Sequence, residues 1–153
     1  RNESGPLDAI NILKEAGANL GKVNICHMDR CGYLLETRLK ILDEGCYIEY
    51  DEFGMDGGYP ADAALADGHL PNMLNDTAAI QEIKELIKLN RLKKILISHD
   101  VCYKMHLTCY GGQGYSHIIE DIVPLMKVYG ISDEQIHTLT VENPKDFLII
   151  KAS

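Results

Sequence analysis

The sequence predicts an α/β fold built from parallel βαβ units, and three observations carry that prediction. Short apolar runs rich in β-forming residues alternate with amphipathic stretches of ten or more residues, a spacing that suits crossover helices rather than hairpins. The runs show no polar alternation, as expected of strands covered on both faces. Two of them, Val23-Asn24-Ile25-Cys26-His27-Met28 and Ile95-Leu96-Ile97-Ser98, lead into His27 and into His99-Asp100, and imidazole and carboxylate are metal-ligand chemistry.

The elements follow in order. Pro6 to Ala16 carries Leu7, Ile10, Leu13 and Ala16 at helical spacing, and Gly17 ends the turn. Val23 to Met28 reads as a buried strand. Tyr33 to Glu44 reads as a helix with Leu35, Leu39 and Leu42 on one face, closed by Gly45. Cys46 to Tyr50 is the second strand. The stretch from Asp51 to Asn75 is rich in Gly, Asp, Ala and Pro, and a connection of that length is expected to be either a functional lid or disordered. Asn75 or Asp76 caps a helix reaching about Leu89, with Ile80, Ile83, Leu86 and Ile87 inward. Ile95 to Ser98 is the third strand, and a glycine-bearing loop runs from Tyr103 to Tyr115. A helix from about Ser116 to Tyr129 follows. A last helix opens at Ser132, with Asp133 and Glu134 where the helix dipole favours acids.

Composition narrows the partners. The 153 residues suit one domain, with a charge of −8 from 15 Lys and Arg against 23 Asp and Glu. No basic stripe suggests nucleic acid or an anionic membrane as partner. No segment approaches the ~20 apolar residues of a membrane span. Five cysteines without C-x-x-C spacing read as reduced thiols in a cytoplasmic protein. The chain opens on Arg1, so it is expected to be part of something longer.

In parallel α/β barrels functional groups sit at the carboxyl ends of the strands. The three ends here offer Cys26, His27 and Asp29; then Tyr50, Asp51 and Glu52; then Ser98, His99 and Asp100. His27 and Asp100 suit a zinc-type ion, and Asp100 could also accept a proton from an acidified water. Plainer readings stand beside these: His27 as a core or capping histidine, and Asp100 as a loop acceptor. His99 is expected to bond between layers, and His117 to be either a helix-start polar group or a site group. His69, His106 and His137 are expected at the surface. The glycines of Tyr110 to Tyr115 lack the register of a phosphate-binding loop.

Together these segments resemble the C-terminal part of the phosphotriesterase family, zinc-dependent hydrolases of the amidohydrolase superfamily. Ile25 to Asp29 resembles the sixth strand, Gly45 to Gly54 the seventh strand and its loop, and Lys94 to Asp100 the eighth. Tyr110 to Ile118 is close to the phosphotriesterase-related branch, and Val141 to Leu148 to the family's closing motif. The resemblance implies a single partial domain over residues 1–153, the C-terminal part of a TIM (β/α)8 barrel, comprising strands six to eight with their helices. It implies His27 on one metal of a binuclear zinc site, and Asp100 on the other, taking a proton from the bridging hydroxide. Glu52 and Tyr103 would line the substrate pocket. The implied reaction is hydrolysis of a small-molecule ester, lactone, phosphotriester or N-acyl amide. The family's remaining metal ligands precede the sixth strand, so this stretch alone is expected to be inactive and to self-associate if its edges stay open. The competing reading is a non-catalytic α/β module that binds a ligand or a partner.

Overall fold

A computed structural model describes residues 3–55 and 74–149. Three strands form one parallel sheet in the order β1-β2-β3: β1 Asn24–Ile25, β2 Tyr47–Tyr50 and β3 Ile95–Ile97. The register pairs Asn24 with Tyr47, and Glu49 with Leu96. Side chains alternate across a strand, so Ile25, Ile48, Tyr50, Ile95 and Ile97 share one face. That face packs into the hydrophobic core. The opposite face carries Asn24, Glu49 and, just beyond the strands, Cys26 and Ser98. The sequence reading of strands without polar alternation is therefore corrected. The strands are so short that this face takes only Asn24 from β1 and the apolar Leu96 from β3, with Glu49 between them on β2, too few polar residues to register as a pattern.

Helices α1 (Gly5–Glu15), α3 (Leu35–Asp43) and α4 (Asp76–Lys88) connect and flank the strands. In α1 Pro6 sits in the first turn, where its missing N–H costs nothing. Only Pro6 and Ile10 of that helix are buried, while Leu13 and Ala16 stay at the surface. Asn75 caps α4, its Oδ1 accepting the Ala78 N–H at 2.9 Å, and Ile80, Ile83 and Leu86 point inward as the spacing predicts. The buried face of α3 departs from expectation: Thr37, Arg38, Ile41 and Leu42 are buried and Leu35 is exposed. Arg38 turns inward because Glu82 of α4 receives its Nη1 at 2.6 Å and the Tyr50 ring lies 6.0 Å beneath its guanidinium.

The first strand is shorter than the sequence suggests. Its apolar run stops at Ile25, and Met28–Cys31 winds into a single turn, α2. The C-terminal region is helical but uneven. A π turn at Ile118–Ile122 leads into α5 (Val123–Val128), and α6 (Asp133–His137) passes through a second π turn at Thr138–Glu142 into α7 (Asn143–Leu148). Ser132 starts α6 with a complete capping box to Gln135. The last helix is fastened under the sheet. Asn143 Nδ2 donates to the carbonyls of Leu92 and Ile95, and Lys22 Nζ donates to those of Asp146, Phe147 and Ile149. His69 and most of the Gly54 to Pro71 stretch lie outside the described residues.

Candidate metal-binding site

Because all three strands run parallel, their carboxyl ends open on one edge, and the chain's carboxylates gather there. His27 follows β1 by two residues and Asp100 follows β3 by three. Both adopt left-handed backbone, at φ 65° and 40°. Asn90 is the only other non-glycine residue at positive φ among those described. Such conformations are disfavoured for residues with a Cβ and concentrate at functional sites. Here they end each strand abruptly and break the side-chain alternation at the position of the candidate ligand.

Asp51, at the tip of β2, organises His27. Its Oδ1 accepts both the His27 backbone N–H and the ring Nδ1, each at 3.0 Å. The ring Nε2 has no hydrogen-bond partner among the described residues. A carboxylate on one ring nitrogen fixes the tautomer and raises the basicity of the other, the arrangement found behind metal-binding histidines. Glu52 Oε1 lies 3.8 Å from the same Nδ1 and accepts from Arg30 Nη1 at 2.8 Å.

Behind this pair Asp29 is buried, with Oδ2 accepting the Glu52 backbone N–H at 2.7 Å. Its own carbonyl accepts from the Leu74 N–H at 2.8 Å, so one residue ties the ends of β1 and β2 to the entry of α4. Burial raises the affinity of Asp29 for its proton, and neighbouring Asp51 adds to the effect. Asp51 is raised by burial and by Glu49 and Glu52. Glu52 is raised by burial, opposed by Arg30 and His27 and reinforced by Asp29 and Asp100. The Glu52 carboxyl thus feels both His27 and Asp100. Burial, with Glu49 beside it, pushes the Cys26 thiol up to about 12.

Glu52 Oε2 and Asp29 Oδ1 are buried without a hydrogen-bond partner among the described residues. A buried carboxylate oxygen left bare is costly, and a divalent cation is a group that satisfies it. An imidazole nitrogen and carboxylate oxygens are donor types that zinc takes, and the donors that lie within 4.8 Å of one another among the described residues are Cys26 Sγ, a Glu49 oxygen and an Asp51 oxygen, next to His27. The residues present fit a divalent metal.

His27, Glu52 and Asp100 share the sheet edge; Tyr103, three residues beyond Asp100, is 65% exposed and meets His106 edge-on, 5.3 Å between centroids. His99 Nε2 meets the backbone carbonyl of Tyr115, in the loop after β3, at 2.9 Å. His106 is half-buried rather than a surface residue, its Nδ1 enclosed. His117 is buried between Asp76 and Asp121, each carboxylate 2.8 Å from a ring nitrogen. All five cysteines are free. Sequence reasoning passed over the role of Asp51 as orienting partner, for which the only signal was a carboxylate immediately after a strand. It also passed over Glu49, an acid inside an apolar strand. Cys26 Sγ, a Glu49 oxygen and an Asp51 oxygen lie within 4.8 Å of one another just below His27.

These features define an α/β protein with an imidazole and several carboxylates at the carboxyl edge of a parallel sheet. The phosphotriesterase family model matches residues 1–148, and the chain belongs to that family. It is 40% identical over 151 residues to an N-acetyltaurine hydrolase of Dictyostelium discoideum, covering 98% of this chain and 39% of that protein. It is 38% identical to a phosphotriesterase-related protein of Nematostella vectensis, covering 99% of this chain and 42% of that one. The chain thus spans about two-fifths of the length of these relatives. Among solved structures it is similar to a resiniferatoxin-binding protein from Rhodobacter sphaeroides, with TM-score 0.84 and 29% identity over 95% of this chain and 38% of that one. Among the described residues no helix is long and apolar enough to cross a membrane.

Proposed function

We propose that this chain supplies strands six to eight of a (β/α)8 hydrolase that cleaves an N-acyl amide, with His27 and Asp100 as ligands of a binuclear zinc site. The observation that carries the reading is the His27–Asp51 pair: a ring engaged at Nδ1, leaving Nε2 to an ion, on the sheet edge that also bears Asp100. The choice of an amide rests on relatives bearing the name N-acetyltaurine hydrolase. Zinc takes at least three protein donors, so the other ligands belong to the part of the relatives' length that this chain does not span. Strands β1 and β3 each pair only with β2 among the described residues, and the same missing length, or a second copy, would complete the ring.

When bound, the metal polarises the acyl oxygen and makes a water acidic near neutral pH. The chain's own residues then divide the work. Asp51 holds the His27 ring in one tautomer. Asp100 accepts a proton from the attacking water as its oxygen bonds the acyl carbon, and returns a proton to the departing nitrogen as the C–N bond breaks. Glu52, fixed by Arg30 and by the Asp29 contact to its backbone, walls the site beside His27.

The test is direct. The complete protein should release acetate and taurine from N-acetyltaurine, and Asp100→Asn should abolish most of that turnover while substrate still binds. Turnover equal to wild type in Asp100→Asn would exclude the assigned role.

A further inference from the structure

Glu49 sits in the middle of β2 on the face opposite the helices, and it takes hydrogen bonds from both neighbouring strand segments. Its Oε1 accepts from Ser98 Oγ at 2.9 Å. Its Oε2 accepts from Asn24 Nδ2, and from Cys26 Sγ at 3.5 Å. Cys26 immediately precedes His27, and Ser98 lies two residues before Asp100. One carboxylate therefore grips the two chain segments that carry the candidate ligands, one oxygen to each side. On the β1 side the main-chain ladder ends below the ligand, at Ile25, and beyond it the His27 N–H meets the Asp51 side chain rather than the β2 main chain; β3 stops at Ile97. Beyond those points main-chain bonds run from Ser98 N to Tyr50 O and from Phe53 N to Ser98 O. These tie β2 to β3, not β1 to β2.

We propose that Glu49 is a positioning residue that sets the separation of His27 and Asp100, and with it the spacing of the two metal ions. The inference rests on the metal reading above. The carboxylate suits the task because both oxygens accept, so a single rigid group can take O–H and N–H donors from opposite sides at once. Partners in the shell behind metal ligands commonly change metal affinity 10- to 100-fold when removed, and Glu49 acts on both ligand segments together.

The experiment uses the complete protein, loaded with Mn(II), and compares wild type with Glu49→Ala, Glu49→Gln and Ser98→Ala. The readouts are metal affinity by chelator competition, Mn–Mn exchange coupling by electron paramagnetic resonance, and the melting temperature without metal. In Glu49→Ala the affinity should fall roughly 10- to 100-fold and the coupling should weaken. Glu49→Gln should recover most of both, since its oxygen still accepts from Ser98 and its amide can donate to Asn24 Oδ1 once that side chain turns over; Asn24 Oδ1 is buried and unpartnered among the described residues. Ser98→Ala removes a single O–H and keeps the test available if Glu49→Ala does not fold; it should lower affinity several-fold. Unchanged affinity and coupling in Glu49→Ala or Ser98→Ala would overturn the proposal, as would a lowered melting temperature with native coupling, the mark of a merely structural residue. His27→Ala and Asp100→Asn serve as controls. If they lose metal while the Glu49 variants keep it, only the brace is wrong; if they keep it, the metal reading fails and the brace fails with it.

Discussion

His27 Nδ1 lies 3.0 Å from Asp51 Oδ1, and the same oxygen accepts the His27 backbone N–H. The left-handed turn at His27 makes this double contact possible by folding the residue back over the end of β2. Replacing Asp51 with Asn keeps the volume but removes the charge that favours Nδ1 protonation. Asp51→Asn should weaken metal binding about 10- to 100-fold in a chelator competition, with little change in fold. Native affinity would show that the carboxylate does not orient the ring.

Asp100 is exposed beyond the end of β3, where the proposed reaction would have it exchange a proton with water and substrate. General acid–base groups contribute typically ~10²- to 10⁴-fold. Asp100→Asn should lower kcat by at least that range, because a ligand is lost with the base, while KM changes less. A variant with unaltered kcat would contradict the assignment.

His117 forms a buried clasp. Asp76 Oδ2 and Asp121 Oδ2 flank its ring at 2.8 Å, and Asp76 Oδ1 accepts the Gly54 N–H at 2.8 Å. Burial works against the charged ring, but the two carboxylates outweigh it and raise its proton affinity above the ordinary value. A histidine raised on folding gives stability that is fully present below about pH 6.5 and is lost as pH rises through its folded value. Denaturation midpoints should therefore decline from pH 6 toward pH 9 in the wild type, and less so in His117→Asn. Identical slopes would refute the clasp. Gly54 belongs to the same arrangement: φ is 83° and an added Cβ would come 2.8 Å from His117 Cδ2. Gly54→Ala should accordingly destabilise the fold.

Arg38 is buried and pairs with the half-buried Glu82, and Tyr50 Oη donates to that same carboxylate at 3.2 Å. Removing only the acid strands the cation. Glu82→Ala should cost about 3–5 kcal/mol in urea denaturation, whereas a double change to Arg38→Met with Glu82→Leu should cost less. A loss under about 1 kcal/mol for Glu82→Ala would show that the pair is dispensable.

The sequence made the periodic elements legible and the polar geometry only partly so. Helix α4 declared itself through Asn75 and the spacing of Ile80, Ile83 and Leu86. The face of α3 misled, because Arg38 is buried by a partner on another helix that no local pattern reveals. His27 and Asp100 stood out through residue type at the ends of apolar runs. Asp51 and Glu49 did not, since their roles arise only when parallel pairing sets strands 20 to 50 residues apart side by side. Strand β1 looked longer than it is because the left-handed turn at His27, which ends the extended run, leaves no mark in hydrophobicity.

The most direct measurement is the metal content of the complete protein and of two variants, by elemental analysis after dialysis. The account predicts about two divalent ions per chain, with His27→Ala and Asp100→Asn each losing metal and turnover together. Full metal content retained in both variants, or a metal-free wild type with normal turnover, would contradict it.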